Sequence, residues 1–281
     1  MKLQTTAILA IFVIFLSACQ DCDAKKTYNA SHLKRLLKTK KCPKCDLSGA
    51  DLSNADLAGA DLRGAELSAA KLDGANLSNA DLTGAELRYR DDVGDKGKMG
   101  IAEIGDFNCN VTYEATLIGV NLQGAKLPGV NLYGLDLSGA NLAEADLRKA
   151  NLEQANLEKA NLGRVNLRGA SLELARLYDV NLQQANLTDA NLKSAILYGI
   201  NLRAANLTSA NLMRVALSGN LNGANFTGAS LNEAKLKSVD LQEIIYDSKT
   251  IWYEARYNKY TKFPSGFKED IKKSMIFRKS Y

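Results

Sequence analysis

The chain has 281 residues, of which 46% are apolar and 24% charged, and its formal net charge is +5. This length and composition suffice for a sizeable core in one large domain or two small ones. Residues 20–45 carry eight Lys and Arg against two acidic residues, whereas residues 46–87 carry two against eight. Because the charge changes sign along the chain and the long middle is nearly neutral, composition argues against a nucleic-acid partner.

The first residues are typical of an export signal. Lys2 precedes an apolar run at 7–16, which is too short to span a membrane comfortably and suits the core of a signal peptide. The run ends in Leu16-Ser17-Ala18-Cys19, which resembles the lipobox of bacterial lipoproteins.

The lipobox resemblance implies that residues 1–18 are removed and that Cys19 carries a lipid as the new N-terminus. The next residue is Gln20 rather than Asp, which favours the outer membrane over the inner one. The alternative is an ordinary secretory signal cut nearby, for instance after Ala24, which would leave a soluble periplasmic or secreted protein. Both interpretations predict an exported protein of the cell envelope or its surroundings.

Residues 19–45 are predicted to form a linker and a short helical cap. Ser31 is suited to cap a helix on which Leu33, Leu36 and Leu37 share one face. We expect this helix to cover the open end of the core that follows.

Leucine recurs at every fifth residue from Leu47 to Leu87 and again from Leu117 to Leu217. A step of four then leads to Leu221, after which the period of five continues to residue 241. A period of five does not fit an α-helix. Each step of five turns the side chain by about 500°, so the leucines would spiral around the axis instead of forming one stripe. It is also wrong for a continuous strand, because successive leucines would alternate between faces.

Within one unit, a small apolar residue, usually Ala, lies two residues before each Leu, so both can face the same way on a short extended piece. The residues after Leu are often turn formers such as Ser48-Gly49 and Ser53-Asn54. The pattern therefore predicts alternating short strands and turns, with every Ala and Leu pointing inward.

Units such as Ala55-Asp56-Leu57-Ala58-Gly59 resemble the pattern A(D/N)LXX of the pentapeptide-repeat family over about two-thirds of the chain. The resemblance implies an all-β fold, a right-handed quadrilateral parallel β-helix with four units per coil. Nearly nine coils would make a rod about 40 Å long. The predicted parts are a first repeat block at 46–87, an inserted loop at 88–114, a second block at 115–242 and an aromatic C-terminal cap at 243–281.

Four units per coil place residues twenty apart on top of one another. Asparagines are then predicted to form a ladder that consists of Asn121, Asn141, Asn161, Asn181 and Asn201. Tyr178 is predicted to stack on Tyr198, and this pair is a candidate contact surface for a partner. The alternative for each column is a solvated face whose residues the repeat tolerates.

The inserted loop and the C-terminal cap are further candidates for binding. An insertion on a solenoid lies on one face and can form a binding site, and the alternative is a tolerated bulge. The tail contains nine aromatic residues between Tyr246 and Tyr281. Since solenoids need caps, the tail is predicted to be one, with a ligand-binding aromatic surface as the alternative.

Cys42 and Cys45 form a CxxC pair, which can indicate redox chemistry or half a zinc site. Cys42 falls in the Leu register and Cys45 in the Ala register, so both are predicted to point into the first coil as buried thiols or a disulfide. A zinc site would need two more ligands, but Cys22, Cys109 and the single histidine, His32, are scattered.

The sequence predicts a protein that is not an enzyme and has no cofactor or metal site. One histidine leaves no His-based nucleophilic machinery, and the carboxylates lie on turns at repeat spacing. We expect a scaffold that binds an unknown protein or an envelope polymer, is attached to the membrane through its lipid anchor, and can pair as a homodimer. The resemblance also suggests a DNA-mimicking gyrase modulator, although the neutral middle and export signal depart from it. A third alternative is a thiol–disulfide protein that uses Cys42 and Cys45.

Overall fold

The computed structural model describes residues 28–88 and 115–278. The predicted signal segment 1–18, the lipid-attachment residue Cys19 and the inserted loop beyond Arg88 lie outside the described residues. So do Cys22, Cys109 and Tyr281.

The N-terminal helix, α1, spans Ala30–Thr39 and lies at the start of the first coil. The prediction that Ser31 caps it was wrong, because the side chain of Asn29 accepts the backbone hydrogen bonds of Ser31 and His32. Only part of the expected apolar face is buried: Leu36 is 0% exposed, whereas Leu37 is 56% exposed. The helix covers the core through Leu36, and Leu37 faces away from it.

The chain then winds as a solenoid in which residues twenty apart lie side by side in parallel. Asn141 bridges Asn161, Asn161 bridges Asn181, and the other faces of the rod repeat the same offset. The repeat leucines are between 0 and 2% exposed, from Leu47 to Leu241. The predicted quadrilateral β-helix with an inward Leu and Ala core is therefore confirmed.

Each corner of the coil is a turn with a fixed chemistry. The Ala50 amide donates to the Leu47 carbonyl at 3.0 Å, and the residue between them that ends the turn, Gly49, has φ of 70°. The residue before each repeat Leu supplies a second hydrogen bond at the turn. For example, the Asp51 carboxylate accepts from the Ser53 backbone amide at 3.1 Å. Asp and Asn recur in the repeat because their side chains pair a backbone N–H at the turn.

The two repeat blocks form one continuous solenoid. Lys71 bridges Thr116 across forty-five residues, whereas the bridges within each regular block join residues twenty apart. The Ala115 amide donates to the Leu87 carbonyl at 3.1 Å, which closes the coil where the insertion leaves and returns. The register of the core is the same before and after the insertion.

The four-residue step after Leu217 makes one coil irregular. Strand β1 spans Ile196–Asn201 and pairs in parallel with β2, Ala216–Asn220, with a register shift between Leu197 and Ile200. Gly219 has φ of 136°, and a Cβ atom there would clash with the carbonyl oxygen of Ile200. The shortened turn thus brings two backbones together at a place where only glycine fits.

The C-terminal cap continues the winding and then closes it. Strand β3, Arg256–Tyr257, pairs in parallel with β4, Ile276–Phe277, and the five-residue helix α2, Glu269–Lys273, lies between them in sequence. An aromatic cluster covers the last coil through ring contacts of 4.7 to 6.0 Å among Tyr246, Trp252, Tyr257, Phe263, Phe267 and Phe277.

Candidate binding face of the solenoid

Cys42 and Cys45 are joined by a disulfide in the first coil. Their side chains are 0% and 1% exposed, and both belong to the hydrophobic core. The nearby His32 is engaged structurally, because its Nδ1 atom accepts a hydrogen bond of 3.1 Å from the Asp46 amide. These residues build the first coil and leave no accessible thiol.

The predicted asparagine ladder runs along one column of the rod. Each side-chain amide donates to the amide oxygen of the asparagine one coil earlier, over 3.0 Å from Asn141 to Asn121 and 2.9 Å from Asn181 to Asn161. The column extends beyond the prediction, since Asn121 donates to Asn76 at 3.1 Å across the insertion. Its members pair with each other, which makes the column a structural element.

Tyr178 and Tyr198 lie in adjacent coils on another face. Their ring centroids are 6.0 Å apart with the planes at 49°. Tyr198 is 43% exposed, whereas Tyr178 is half-buried and has the guanidinium of Arg176 5.9 Å from its ring centre. The pair thus presents mainly the Tyr198 ring to solvent.

Tyr198 also forms the wall of a groove that leads toward the C-terminal cap. The groove has a volume of about 440 Å³ and is lined by four cationic side chains and Tyr257 as well as Tyr198. The four cations are Lys235, Lys237, Arg256 and Arg278. A second depression adjoins it and shares Tyr198, Lys235 and Arg256.

One small side chain contributes to the concave surface at this point. Ile196, Ala216, Lys235 and Arg256 follow one another in a single column of paired positions. Ala216 is a short residue between larger neighbours and lines the second depression. This short side chain leaves room in the second depression, which Tyr198 also lines.

The electrostatics of the face are strongly positive. Glu233 is the one carboxylate among the described residues that line either depression, and the Arg214 guanidinium holds it through two hydrogen bonds of 2.9 and 3.0 Å. This pairing holds the pKa of Glu233 below its usual value. The Nε atom of Arg256 is buried and has no hydrogen-bond partner within residues 28–88 and 115–278.

The repeat spacing predicts the Tyr178 and Tyr198 pair, but it does not reveal the cations beside them. Lys237 is 39 rather than 40 residues from Tyr198, because of the four-residue step after Leu217. Arg278 is again at a multiple of twenty, 80 residues away, because a longer unit in the cap offsets the shorter one. The cations could have been found from the sequence by counting the irregular units one by one along this column.

A model of pentapeptide repeats matches residues 45–84, 115–154, 145–184, 185–219 and 218–245, in eight copies. The matched residues make up more than half of the chain, and the match agrees with the twenty-residue stacking of the coils. The chain belongs to the pentapeptide-repeat family.

A solved structure of another pentapeptide-repeat protein shows the same fold. HetL, from the cyanobacterium Nostoc sp. strain PCC 7120 and involved in heterocyst differentiation regulation, is 28% identical with a TM-score of 0.66. That comparison covers 84% of this chain and 94% of HetL. A pentapeptide repeat protein from the Arabidopsis thaliana thylakoid lumen is 30% identical over 47% of this chain and 70% of its own, with a TM-score of 0.27.

QnrB1, a plasmid-mediated fluoroquinolone resistance protein, is 16% identical over 58% of this chain and 84% of its own, with a TM-score of 0.32. A likeness at this level carries no argument about function. A comparison with curated proteins returns no match.

Pentapeptide-repeat proteins are generally non-catalytic scaffolds or binders. In the part of this repeat protein that the structure describes, no three His, Cys, Asp or Glu side chains are grouped to hold a metal ion. Neither of its two described helices is long and apolar enough to cross a membrane. The face around Tyr198, where an exposed ring borders a concave surface lined by cations, is the candidate site.

Proposed function

We propose that this pentapeptide-repeat protein is a non-catalytic scaffold of the cell envelope, exported and attached through a lipid on Cys19. Its rod would present the face around Tyr178 and Tyr198 to a protein or an envelope polymer. The partner would bind a surface whose backbone is held in place by the stacked coils.

One observation carries the binding role: an exposed aromatic ring borders a concave surface on an otherwise regular rod. Tyr198 is 43% exposed and lines both depressions. Tyrosine at a concave, partly apolar surface is typical of interaction sites, since it offers a large contact area and a polar hydroxyl.

Two features support export. The segment 16–19 has the lipobox-like sequence that ends in Cys19. The disulfide between Cys42 and Cys45 suits an oxidising compartment, since cytosolic thiols are normally kept reduced.

The first experiment is the intact mass of the mature N-terminus in cells with and without an inhibitor of lipoprotein signal peptidase. We expect a chain that begins at a lipidated Cys19, and a longer precursor when the peptidase is blocked. A full-length chain in the cytoplasm would overturn the export proposal and reopen the gyrase-modulator alternative. A chain cut after Ala24 without lipid would leave export standing and remove the anchor.

The second experiment tests the binding face by cross-linking in cells. A variant with Tyr178→Ser and Tyr198→Ser should lose its cross-linked partner, whether that partner is a protein, an envelope polymer or a second copy of the chain. Tyr253→Ser is the matched control, because Tyr253 is 57% exposed outside this pair. Equal cross-linking in both variants would show that another face binds.

A further inference from the structure

We infer that the groove beside Tyr198 binds an extended glycan strand that runs along the rod and carries carboxylate groups. This inference rests on the proposed function, because it names the chemistry of a partner for the same face. The direction of the groove, the spacing of the tyrosine rings and the pairing of the backbone on this face carry it.

The groove runs parallel to the axis of the rod. The residues that line its two depressions include Ala216, Lys235 and Arg256, which follow one another in consecutive coils of one column. Arg278 lines the far end, in the coil after Arg256. The coils of Tyr198 and Arg278 are four steps of about 4.8 Å apart, or about 19 Å. A narrow surface of this length fits an extended chain better than a compact molecule.

The backbone along this column is already used to stack the coils. The Lys235 amide donates to the Val215 carbonyl at 2.8 Å. One coil later, the Arg256 amide donates to the Ala234 carbonyl at 2.7 Å. A peptide that joins a sheet as an extra strand needs unpaired backbone groups at an edge. The groove crosses the coils instead of following an edge, so side chains must recognise the ligand.

The tyrosine rings suit a chain of sugars. Tyr178 and Tyr198 lie one coil apart with their ring centroids separated by 6.0 Å, and Tyr257 supplies a third ring further along the groove. The C–H bonds on one face of a sugar carry a slight positive charge, so they pack on the negative face of an aromatic ring. Each sugar of an extended glycan has a length close to the coil spacing of about 4.8 Å. Successive sugars can therefore meet successive coils.

The charge of the groove favours acidic sugars. Lys235 and Arg278 line the groove, are exposed, and belong to coils that are two steps apart. Glu233, the one carboxylate among the described lining residues, already accepts two hydrogen bonds from Arg214. Because two coils correspond to two sugars, a carboxylate on every second sugar can face both exposed cations. Such hydrogen bonds between charged groups are stronger than those to neutral hydroxyls.

The test is titration calorimetry on the purified full-length chain at about 0.15 M salt, where exposed charges are well screened. The main probe is hyaluronan hexasaccharide, in which every second sugar carries a carboxylate. The comparison probes are chitohexaose, which is a neutral glycan of the same length, hyaluronan disaccharide, and the acidic peptide hexaglutamate. We expect the hyaluronan hexasaccharide to bind most tightly, chitohexaose more weakly, the disaccharide at least about tenfold more weakly, and hexaglutamate not at all.

Variants locate the site. Tyr198→Ala should weaken binding of the hyaluronan hexasaccharide by about fivefold or more, whereas Tyr198→Phe keeps the ring and should stay within about threefold of wild type. Lys235→Gln should remove most of the preference for the hyaluronan hexasaccharide over chitohexaose. The matched control is Tyr253→Ala, since Tyr253 is 57% exposed outside the groove, and it should bind within about twofold of wild type. Melting curves like that of wild type show that each variant is folded.

Several results would overturn the inference. They are no binding of any glycan, equal affinity for the disaccharide and the hexasaccharide, hexaglutamate binding as tight as the hyaluronan hexasaccharide, and an equal loss in Tyr198→Ala and Tyr253→Ala. Tight hexaglutamate binding would indicate a site for acidic peptides instead. The proposed function keeps its own test. If no glycan binds but the variant with Tyr178→Ser and Tyr198→Ser still loses a cross-linked protein, the binding face stands and only the ligand class is wrong.

Discussion

Asn161 donates its side-chain amide to the Oδ1 atom of Asn141 over 3.1 Å, although the two residues are twenty positions apart. The Oδ1 atom of Asn161 in turn accepts two hydrogen bonds. One comes from the backbone amide of Gly163 in its own turn and the other from the side-chain amide of Asn181 in the next coil. One side chain therefore fixes both the corner of its coil and the stacking of three coils. This dual role needs a side chain with both a donor and an acceptor, which Asp does not provide when ionised.

Asn161→Asp should lower the stability of the rod by about 1 kcal/mol near neutral pH. The substitution removes the amide donor and sets a carboxylate against the Asn141 oxygen, while both acceptor roles remain. Thermal melting across pH provides an internal control, because protonation of the introduced carboxyl group below about pH 4 restores a donor. A deficit that stays constant down to pH 3 would contradict the role assigned to the ladder.

Leu157→Ala should destabilise the protein by about 2–5 kcal/mol, and Leu157→Asp should collapse the rod. Leu157 is 0% exposed in the core, so either change leaves a cavity or a buried charge. Leu174→Ala is the control, since Leu174 is 50% exposed and its loss should cost less than about 0.5 kcal/mol. Chemical denaturation measures both, and similar losses would contradict the assigned inward register.

Replacing both Cys42 and Cys45 by Ala should lower stability by no more than about 2 kcal/mol, because the loop that they close is only four residues long. Without reductant, Cys42 and Cys45 of the folded wild-type chain should not react with a thiol label, as measured by mass spectrometry of the labelled peptides. Cys45→Ala should trap no mixed disulfide in cells, because Cys42 is 0% exposed. A trapped partner protein would revive the thiol–disulfide alternative.

Arg63→Gln should lower the melting temperature at pH 6 but have little effect at pH 2. The Arg63 guanidinium bonds the Asp61 carboxylate at 2.7 and 2.8 Å and lowers the pKa of Asp61 to about 2. The unfolded value is about 3.9, so this stabilisation is fully present above about pH 4 and is lost as pH falls toward 2. Arg148→Gln should behave alike, since Arg148 lowers the pKa of Asp146 in the same way. If the melting temperatures of wild type and Arg63→Gln differ as much at pH 2 as at pH 6, this ion pair is not the cause of the difference.

The N-terminal cap shows where sequence reasoning reached its limit. Asn29 and Ser31 are both good capping residues, and the local sequence does not decide between them. In the folded chain the Asn29 amide donates to the Asp46 carbonyl at 3.2 Å, which holds this residue on the first coil and sets the helix start. The same docking buries Leu36 and leaves Leu37 outside.

The sequence by itself determined the coil, because a Leu every five residues with Ala two before it can be buried only if the chain turns after each unit. It also determined the Asn ladder and the Tyr178–Tyr198 pair, since equal units make contacts countable along the chain. Only the tertiary structure decided the groove, because one short unit and one long unit lie between Tyr198 and the cap and their combined effect sets which side chains line it. The physical reason is that a regular repeat converts sequence distance directly into position, whereas each irregular turn changes that relation by an amount that backbone packing sets.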